Sequence, residues 1–210
     1  SAVEVVVGAP PDLAAVIPRC PQLRWVQSTW AGIDAIAHFA SESLQITPLK
    51  GVFGPAVTEY VIGWLLAIER NMVSRASHTQ WTPILEPRIT GKRLGIMGTG
   101  GIGTAIAFAA KSFGLEVIGL NSDGRAVEGF STCYPSTDRL AFAEGLDYLV
   151  SVLPQTAQTD NLIDHELLMR LNPQAIVMNI GRGNALVEAE LIDSLNAGHL
   201  RAAVLDVFRE

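Results

Sequence analysis

Three groups of residues in this 210-residue chain have the types and spacing for ligand chemistry. The first is Gly98-x-Gly100-x-x-Gly103, preceded by the apolar run Leu94 to Met97 and followed at once by an apolar helical pattern. A strand, a glycine turn and a helix in that order can cradle a pyrophosphate. Gly98 permits the tight turn, Gly100 lets the backbone approach the diphosphate, and Gly103 lets the helix pack closely on the strand. The diphosphate would rest on the unpaired N–H groups at the helix start. A purely structural strand-to-helix turn is the alternative. The second group is Gly181-Arg182-Gly183, at the end of the mostly apolar segment Ala175 to Ile180. Its glycines are read as freeing the backbone to turn and approach a ligand. Arg182 presents a charged fork suited to a carboxylate or a polarised carbonyl.

The third group is Asn121-Ser122-Asp123-Gly124-Arg125, after a second apolar run. A site preferring NAD usually carries Asp or Glu near this point to bind the ribose hydroxyls. Here Asn121 is neutral, the Ser122 hydroxyl follows, and Arg125 can pair with a 2′-phosphate. This favours NADP and leaves NAD open, with Asp123 taking the acidic role and Arg125 merely solvated.

Weaker signals stand at the other strand ends. Pro154 and Thr159 lie where contacts to a nicotinamide would fall, or they simply make a turn. Asp206 suits a carboxamide contact or a strand-end cap. In Gln27 to Asp34, read as a strand–turn–helix junction, the N–H groups near Ala31 and Gly32 could hold a small carboxylate. Trp30 then either walls a pocket or belongs to the core.

The elements that must position these residues alternate between strand and helix. Strands are expected at 3–7, 24–27 and 45–47, with a short helix capped by Asp12 and a helix at 33–39. A long helix is predicted over 55–77, then a connecting loop over 81–90 holding Pro83 and Pro87. Beyond it, strands are predicted at 94–98, 116–120, 147–152, 175–180 and 202–206, with helices near 102–113, 138–145, 160–170 and 188–197. Strands apolar throughout are those of a parallel sheet covered on both faces. The predicted class is α/β with a doubly wound parallel sheet. The predicted domains are residues 1–54, a partial substrate domain, and 55–210, a dinucleotide-binding domain with an arm helix at 55–77.

Composition bounds the rest. Apolar residues make up 49% and charged residues 17%, an ordinary globular balance. The net charge of −6 argues against nucleic acid or anionic membrane as partner. Cys20 and Cys133 show no metal-ligand spacing and read as reduced thiols, a single bridge remaining open. With no apolar run of membrane-spanning length, a cytoplasmic protein is expected.

The segments WVQSTWAGID, GVFGPAVTEYVIGWLL, KRLGIMGTGGIGTAIA, SVLPQTAQTDNLI and MNIGRGNALVEAELIDSLNAGHLRAAVLDVF together resemble the D-isomer-specific 2-hydroxyacid dehydrogenases, nearest the NADP-using glyoxylate and hydroxypyruvate reductase branch. The resemblance implies a Rossmann cofactor domain, a smaller and here incomplete flavodoxin-like substrate domain, and a homodimer formed through the arm helix. It implies hydride transfer between NAD(P)H and a small 2-keto or 2-hydroxy acid bound in the interdomain cleft. By position, Arg182 would bind the substrate carboxylate and polarise the keto oxygen, and the Ala31 and Gly32 amides would hold the carboxylate. Gly101, Ile102, Thr159, Ile180 and Asp206 would touch the cofactor. Glu59 falls in a matching segment without an implied chemical role. The family's proton-donating His and its partnering Glu would lie beyond Glu210, and His38, His78, His165 and His199 match no catalytic position. The sequence is therefore expected to cover part of a longer enzyme, lacking residues at both ends. A rival on the same fold is a cofactor-sensing, corepressor-like binding protein without turnover. Amino-acid or formate dehydrogenase chemistry fits Trp30 and the absence of formate-type insertions less well.

Overall fold

The computed structural model describes residues 2–81, 83, 85, 86 and 88–209. Of the loop expected at 81–90, Thr82, Ile84 and Pro87 lie outside the described residues. The chain divides into two compact units, Ser1–Phe53 and Gly54–Glu210.

In the first unit β1 (Val5–Gly8), β2 (Trp25–Ser28) and β3 (Gln45–Thr47) form a parallel sheet in that order. Helix α1 (Pro10–Val16) packs Leu13 into a small core with Ile17, Leu23, Val26, Ile36 and Leu44. Asp12 does not cap α1: Ala9 holds the cap position and Asp12 lies inside the first turn, where its charge suits the helix dipole. The helix expected at 33–39 is also absent. Ile36 is fully buried with its backbone at φ −125°, ψ −6°, and only Ala37–Phe39 makes a single 3₁₀ turn.

The second unit opens with α2 (Gly54–Glu69) and α3 (Met72–Arg75), where one helix was expected. The break is at Asn71, whose backbone is left-handed at φ 48°. Arg201 fixes it by donating to the Ile68 carbonyl at 2.9 Å and the Asn71 Oδ1 at 3.4 Å, a cation at a helix C-terminus. Next come β4 (Arg93–Met97), α4 (Gly101–Ser112), β5 (Glu116–Asn121), β6 (Cys133–Pro135), α5 (Arg139–Ala143), β7 (Tyr148–Ser151), α6 (His165–Leu168), β8 (Ala175–Asn179), α7 (Glu188–Asn196) and β9 (Leu200–Leu205). Strand β6 was not expected, and the helix expected at 160–170 shrinks to α6, which begins where the Asp164 carboxylate accepts the Leu167 N–H.

All six strands are parallel, in the order β6-β5-β4-β7-β8-β9. Numbered within the unit this is 3-2-1-4-5-6, the doubly wound Rossmann order. Alternate residues of each strand face opposite layers. Leu94, Ile96, Val117, Tyr148, Val150, Ile176 and Met178 pack with α2 and α4. Ile118, Leu120, Leu149, Ala175 and Val177 pack with α5, α6 and α7. Gly95 is bare because a Cβ there would fall 2.3 Å from Leu146 Cδ1 and 2.7 Å from Phe142 Cζ.

A buried carboxylate anchors the amino-terminal edge of this sheet. Glu69, 1% exposed, accepts from Lys92 Nζ at 2.8 Å and Tyr148 Oη at 2.6 Å on one oxygen, and from Arg201 at 3.0 Å on the other. Burial alone would raise its pKa. The bonds from Lys92 and Tyr148, with the Lys92 and Arg201 charges, outweigh that and hold it below the usual carboxylate range. The same burial and the bond to Glu69 push the Tyr148 phenol upward, so it stays a donor.

Candidate cofactor-binding site

In an open parallel α/β sheet, ligands sit beyond the carboxyl ends of the strands, at the point where the strand order reverses. That point lies between β4 and β7. Backbone bonds carry the ladder past the strand ends and hold the emerging loops side by side: Val152 N to Met97 O at 3.0 Å, Ile180 N to Ser151 O at 2.9 Å, and Asp206 N to Asn179 O at 3.0 Å. From β5 to β8 is three strand spacings, roughly 14 Å. The Asn121 loop and Arg182 therefore stand at opposite ends of one edge.

The four loop glycines divide by what surrounds them. Gly98 sits at φ 102°, and a Cβ there would crowd Val152, just past the end of β7, at 3.2 Å. At Gly103 a Cβ would lie 1.9 Å from the Gly98 carbonyl, so the close approach of α4 to its turn forbids any side chain. Gly100 and Gly101 are different: a Cβ at either meets nothing within 4 Å, and Gly100 has an ordinary φ of −76°. The protein itself gives no reason for glycine at these two positions, whereas a close ligand does. Helix α4 also starts without a side-chain cap, so the first-turn N–H groups near Gly101, Ile102 and Gly103 face outward with the positive end of the dipole. These features fit a dinucleotide diphosphate.

Asn121, 9% exposed, is a loop scaffold. Its Nδ2 donates to Thr99 Oγ1 at 3.1 Å and to the Arg125 carbonyl at 2.9 Å, while Oδ1 accepts the Gly124 N–H at 2.6 Å. An Asp here would lose both donors. The neutrality of residue 121, read from sequence as room for a 2′-phosphate, thus has a cause in the fold itself. Gly124, at φ 74°, packs against Pro135 at the end of β6. Ser122 and Arg125 stay exposed. The Arg125 guanidinium lies 2.9 Å from Asp123 Oδ1, which also accepts the Arg125 amide at 3.3 Å. These bonds, the amide first, hold the Asp123 carboxyl below its ordinary range.

After β7, Pro154 is exposed and Thr159 is 9% exposed. The Thr159 hydroxyl donates to the Pro154 carbonyl at 2.7 Å and accepts the Thr156 N–H at 3.0 Å, which closes the loop. After β8 the two glycines have a cause within the fold itself. A Cβ on Gly181 would fall 2.5 Å from the Leu153 carbonyl, and one on Gly183 would fall 2.1 Å from the Phe208 carbonyl carbon. At both glycines neighbouring backbone of this chain already leaves no room for a side chain. Neither needs a left-handed backbone. Arg182 is half-buried, with Nη1 donating to the Gly181 carbonyl at 2.8 Å. Ile180 is half-buried and Asp206 exposed.

In the first unit Trp30 is 50% exposed, which removes it from that unit's core. The turn is held by Ser28, which is buried and accepts the Trp30 N–H at 2.9 Å. No regular helix follows Ala31 and Gly32, so the helix-dipole argument for those amides does not apply.

The residue that sequence reasoning missed is Asn179. Fully buried, it donates to the Arg182 carbonyl at 3.0 Å and accepts the Gly181 N–H at 3.3 Å. It shapes the Arg182 turn as Asn121 shapes its own loop. Each is the last residue of its strand and follows a buried apolar run, Val117 to Leu120 or Ala175 to Met178, and that placement is the signal for this role. Among the described residues, the buried Ser151 hydroxyl and the Asn184 Oδ1 have no hydrogen-bond partner. Also among the described residues, no group of side chains is arranged to hold a metal ion, and no helix is long and apolar enough to cross a membrane.

Residues 62–210 match the family described as D-isomer specific 2-hydroxyacid dehydrogenase, NAD binding domain. A glyoxylate/hydroxypyruvate reductase A of Yersinia enterocolitica is 35% identical over 157 residues, 72% of this chain and 50% of its own length. A D-isomer specific 2-hydroxyacid dehydrogenase family protein of Aeromonas salmonicida superposes with a TM-score of 0.89 at 34% identity, covering 99% of this chain and 68% of that one. The NADPH-dependent glyoxylate/hydroxypyruvate reductase of Sinorhizobium meliloti, solved with NADP and sulfate, gives 0.87 at 27% identity, covering 99% and 68%. The chain spans about half to two thirds of the first curated relatives it matches.

Proposed function

This chain belongs to the D-isomer specific 2-hydroxyacid dehydrogenase family, and from that premise we propose a reductase that passes a hydride between NADPH and a small 2-keto acid of the glyoxylate or hydroxypyruvate type. The observation that carries the cofactor half is the pair Gly100 and Gly101, glycines the protein does not need for its own packing. The first turn of α4 would hold the diphosphate, the Asn121–Arg125 loop the adenosine end, and Pro154, Thr159, Ile180, Gly181 and Asp206 the nicotinamide end. Ser122 and Arg125 favour a 2′-phosphate, in keeping with the NADP in the Sinorhizobium relative.

A nicotinamide held there would supply the hydride. Arg182 binds the substrate carboxylate and polarises the keto oxygen. A guanidinium stays protonated at neutral pH, so Arg182 stabilises the developing alkoxide and leaves its protonation to a separate acid. In the first unit the Ala31 and Gly32 amides hold carboxylate oxygens, and the exposed Trp30 limits substrate bulk. The exposed side of α2, with Gly63 and Trp64, serves a second copy of the chain.

The test is NADPH fluorescence titration followed by NADPH oxidation with glyoxylate and hydroxypyruvate, using the full-length protein. Binding and turnover lost together in Gly100→Ala, and turnover alone lost in Arg182→Gln, are the expected results. Tight NADPH binding by the full-length protein, with no NADPH oxidation by any small 2-keto acid, would decide for a cofactor-sensing protein instead.

A further inference from the structure

The loop after β5 holds two opposite charges two residues apart, and only one of them suits a 2′-phosphate. We propose that Asp123 is a selectivity residue acting through Arg125: its carboxylate occupies the guanidinium that a 2′-phosphate must claim, and so sets how strongly the site prefers NADP to NAD. The inference rests on the dinucleotide reading above.

Three observations carry it. First, Asn121 takes no part in selection, because its amide is spent on Thr99, Gly124 and the Arg125 carbonyl. The charged choice at the adenosine ribose therefore falls to Asp123 and Arg125. Second, one oxygen, Asp123 Oδ1, accepts both the Arg125 amide at 3.3 Å and its guanidinium at 2.9 Å. The carboxylate thereby fills a place that a phosphate oxygen would take. Third, the loop is rigid beneath the pair. Gly124 is clamped on Pro135 and tied to Asn121, so the two side chains can exchange partners without the backbone moving.

Both side chains are more than half exposed, at 58% and 59%, so water and salt screen the pair and a phosphate can displace it. A dianionic phosphate makes stronger, bidentate bonds to the guanidinium than one carboxylate oxygen does. Asp123 thus weakens NADP binding without abolishing it. It also leaves an acceptor beside the ribose for a cofactor that lacks the phosphate.

The test is equilibrium titration of the full chain with NADPH, NADH, 2′,5′-ADP and 5′-AMP at low salt and again at about 0.5 M salt. Asp123→Asn is expected to tighten NADPH and 2′,5′-ADP about three- to tenfold at low salt, with NADH and 5′-AMP unchanged or weaker. High salt should erase most of the gain. Asp123→Glu should restore wild-type selectivity, and in an Arg125→Gln background Asp123→Asn should have no effect on NADPH. Equal effects of Asp123→Asn on all four ligands would overturn the proposal and mark a structural role. Loss of NADH affinity with NADPH unchanged would overturn it too and make Asp123 a ribose ligand. A wild type that binds 2′,5′-ADP and is indifferent to Asp123→Asn sinks this inference alone. A wild type that binds none of the four sinks the dinucleotide reading as well.

Discussion

Alanine placed at two glycines of the same loop should separate folding from binding. At Gly103 the new Cβ would sit 1.9 Å from the Gly98 carbonyl oxygen. Tolerable contacts begin about 3 Å apart, so α4 must retreat by roughly 1 Å from a turn that is itself wedged against Val152. Overpacking of this kind costs about 1–3 kcal/mol. For a protein of this size that lowers Tm by about 3–10 °C. At Gly100 the backbone conformation is open to any residue and nothing lies within 4 Å. Alanine there should leave Tm unchanged or raise it slightly, because it restricts the unfolded chain. Its methyl group would instead fill the space a diphosphate needs and weaken NADPH binding at least about tenfold, or 1.4 kcal/mol. Thermal unfolding without ligand and fluorescence titration with NADPH read the two effects independently. The reasoning fails if Gly100→Ala binds NADPH within twofold of wild type, or if Gly103→Ala melts with the wild type.

Further outcomes follow from other features. Glu69→Gln leaves Lys92 and Arg201 without their anion and should cost about 2–4 kcal/mol in urea unfolding. Because the folded Glu69 pKa is lowered, its stabilisation is full above its ordinary value near 4.5 and is lost as pH falls through the folded value. The wild type should therefore lose stability on acidification below about pH 4.5 more steeply than Glu69→Gln, as denaturation midpoints across pH 2–7 will show. Asn121→Asp removes two donors that hold the loop, and should weaken NADPH and NADH alike by about 1–3 kcal/mol in titration. Gly183→Ala must push the backbone at Phe208 and Arg209 away. Faster proteolysis near residue 208 is expected, with NADPH binding retained.

The sheet was legible because its inner strands are apolar except at their ends and the glycine turn stands between a strand and a helix. Strand β6 was not, since three half-buried residues ending in Pro135 carry no periodic signal. The break after α2 was equally hidden. It depends on Arg201, more than a hundred residues away in sequence, and no local pattern at Asn71 announces it. Arg182 stood out through its flanking glycines, yet those glycines answer to Leu153 and Phe208, which only the fold brings near. Asn121 was noticed for its lack of charge, while its work as a donor depends on Thr99 twenty-two residues earlier.

The two edges of the large sheet carry different burdens. Glu69 gathers Lys92, Tyr148 and Arg201, residues that precede or begin β4, β7 and β9, so the strands are pinned where they start. The ligand-facing loops leave from the opposite ends of the same strands. The loops after β5 and β8 are each braced by one asparagine at the root, Asn121 and Asn179. A lineage carrying this architecture can rewrite positions such as 122, 123, 125 or 154 while the anchor and the roots stay untouched. Under the proposed reading cofactor preference is then free to drift at little expense in folding, and a saturation library confined to those loop tips should yield mostly folded variants.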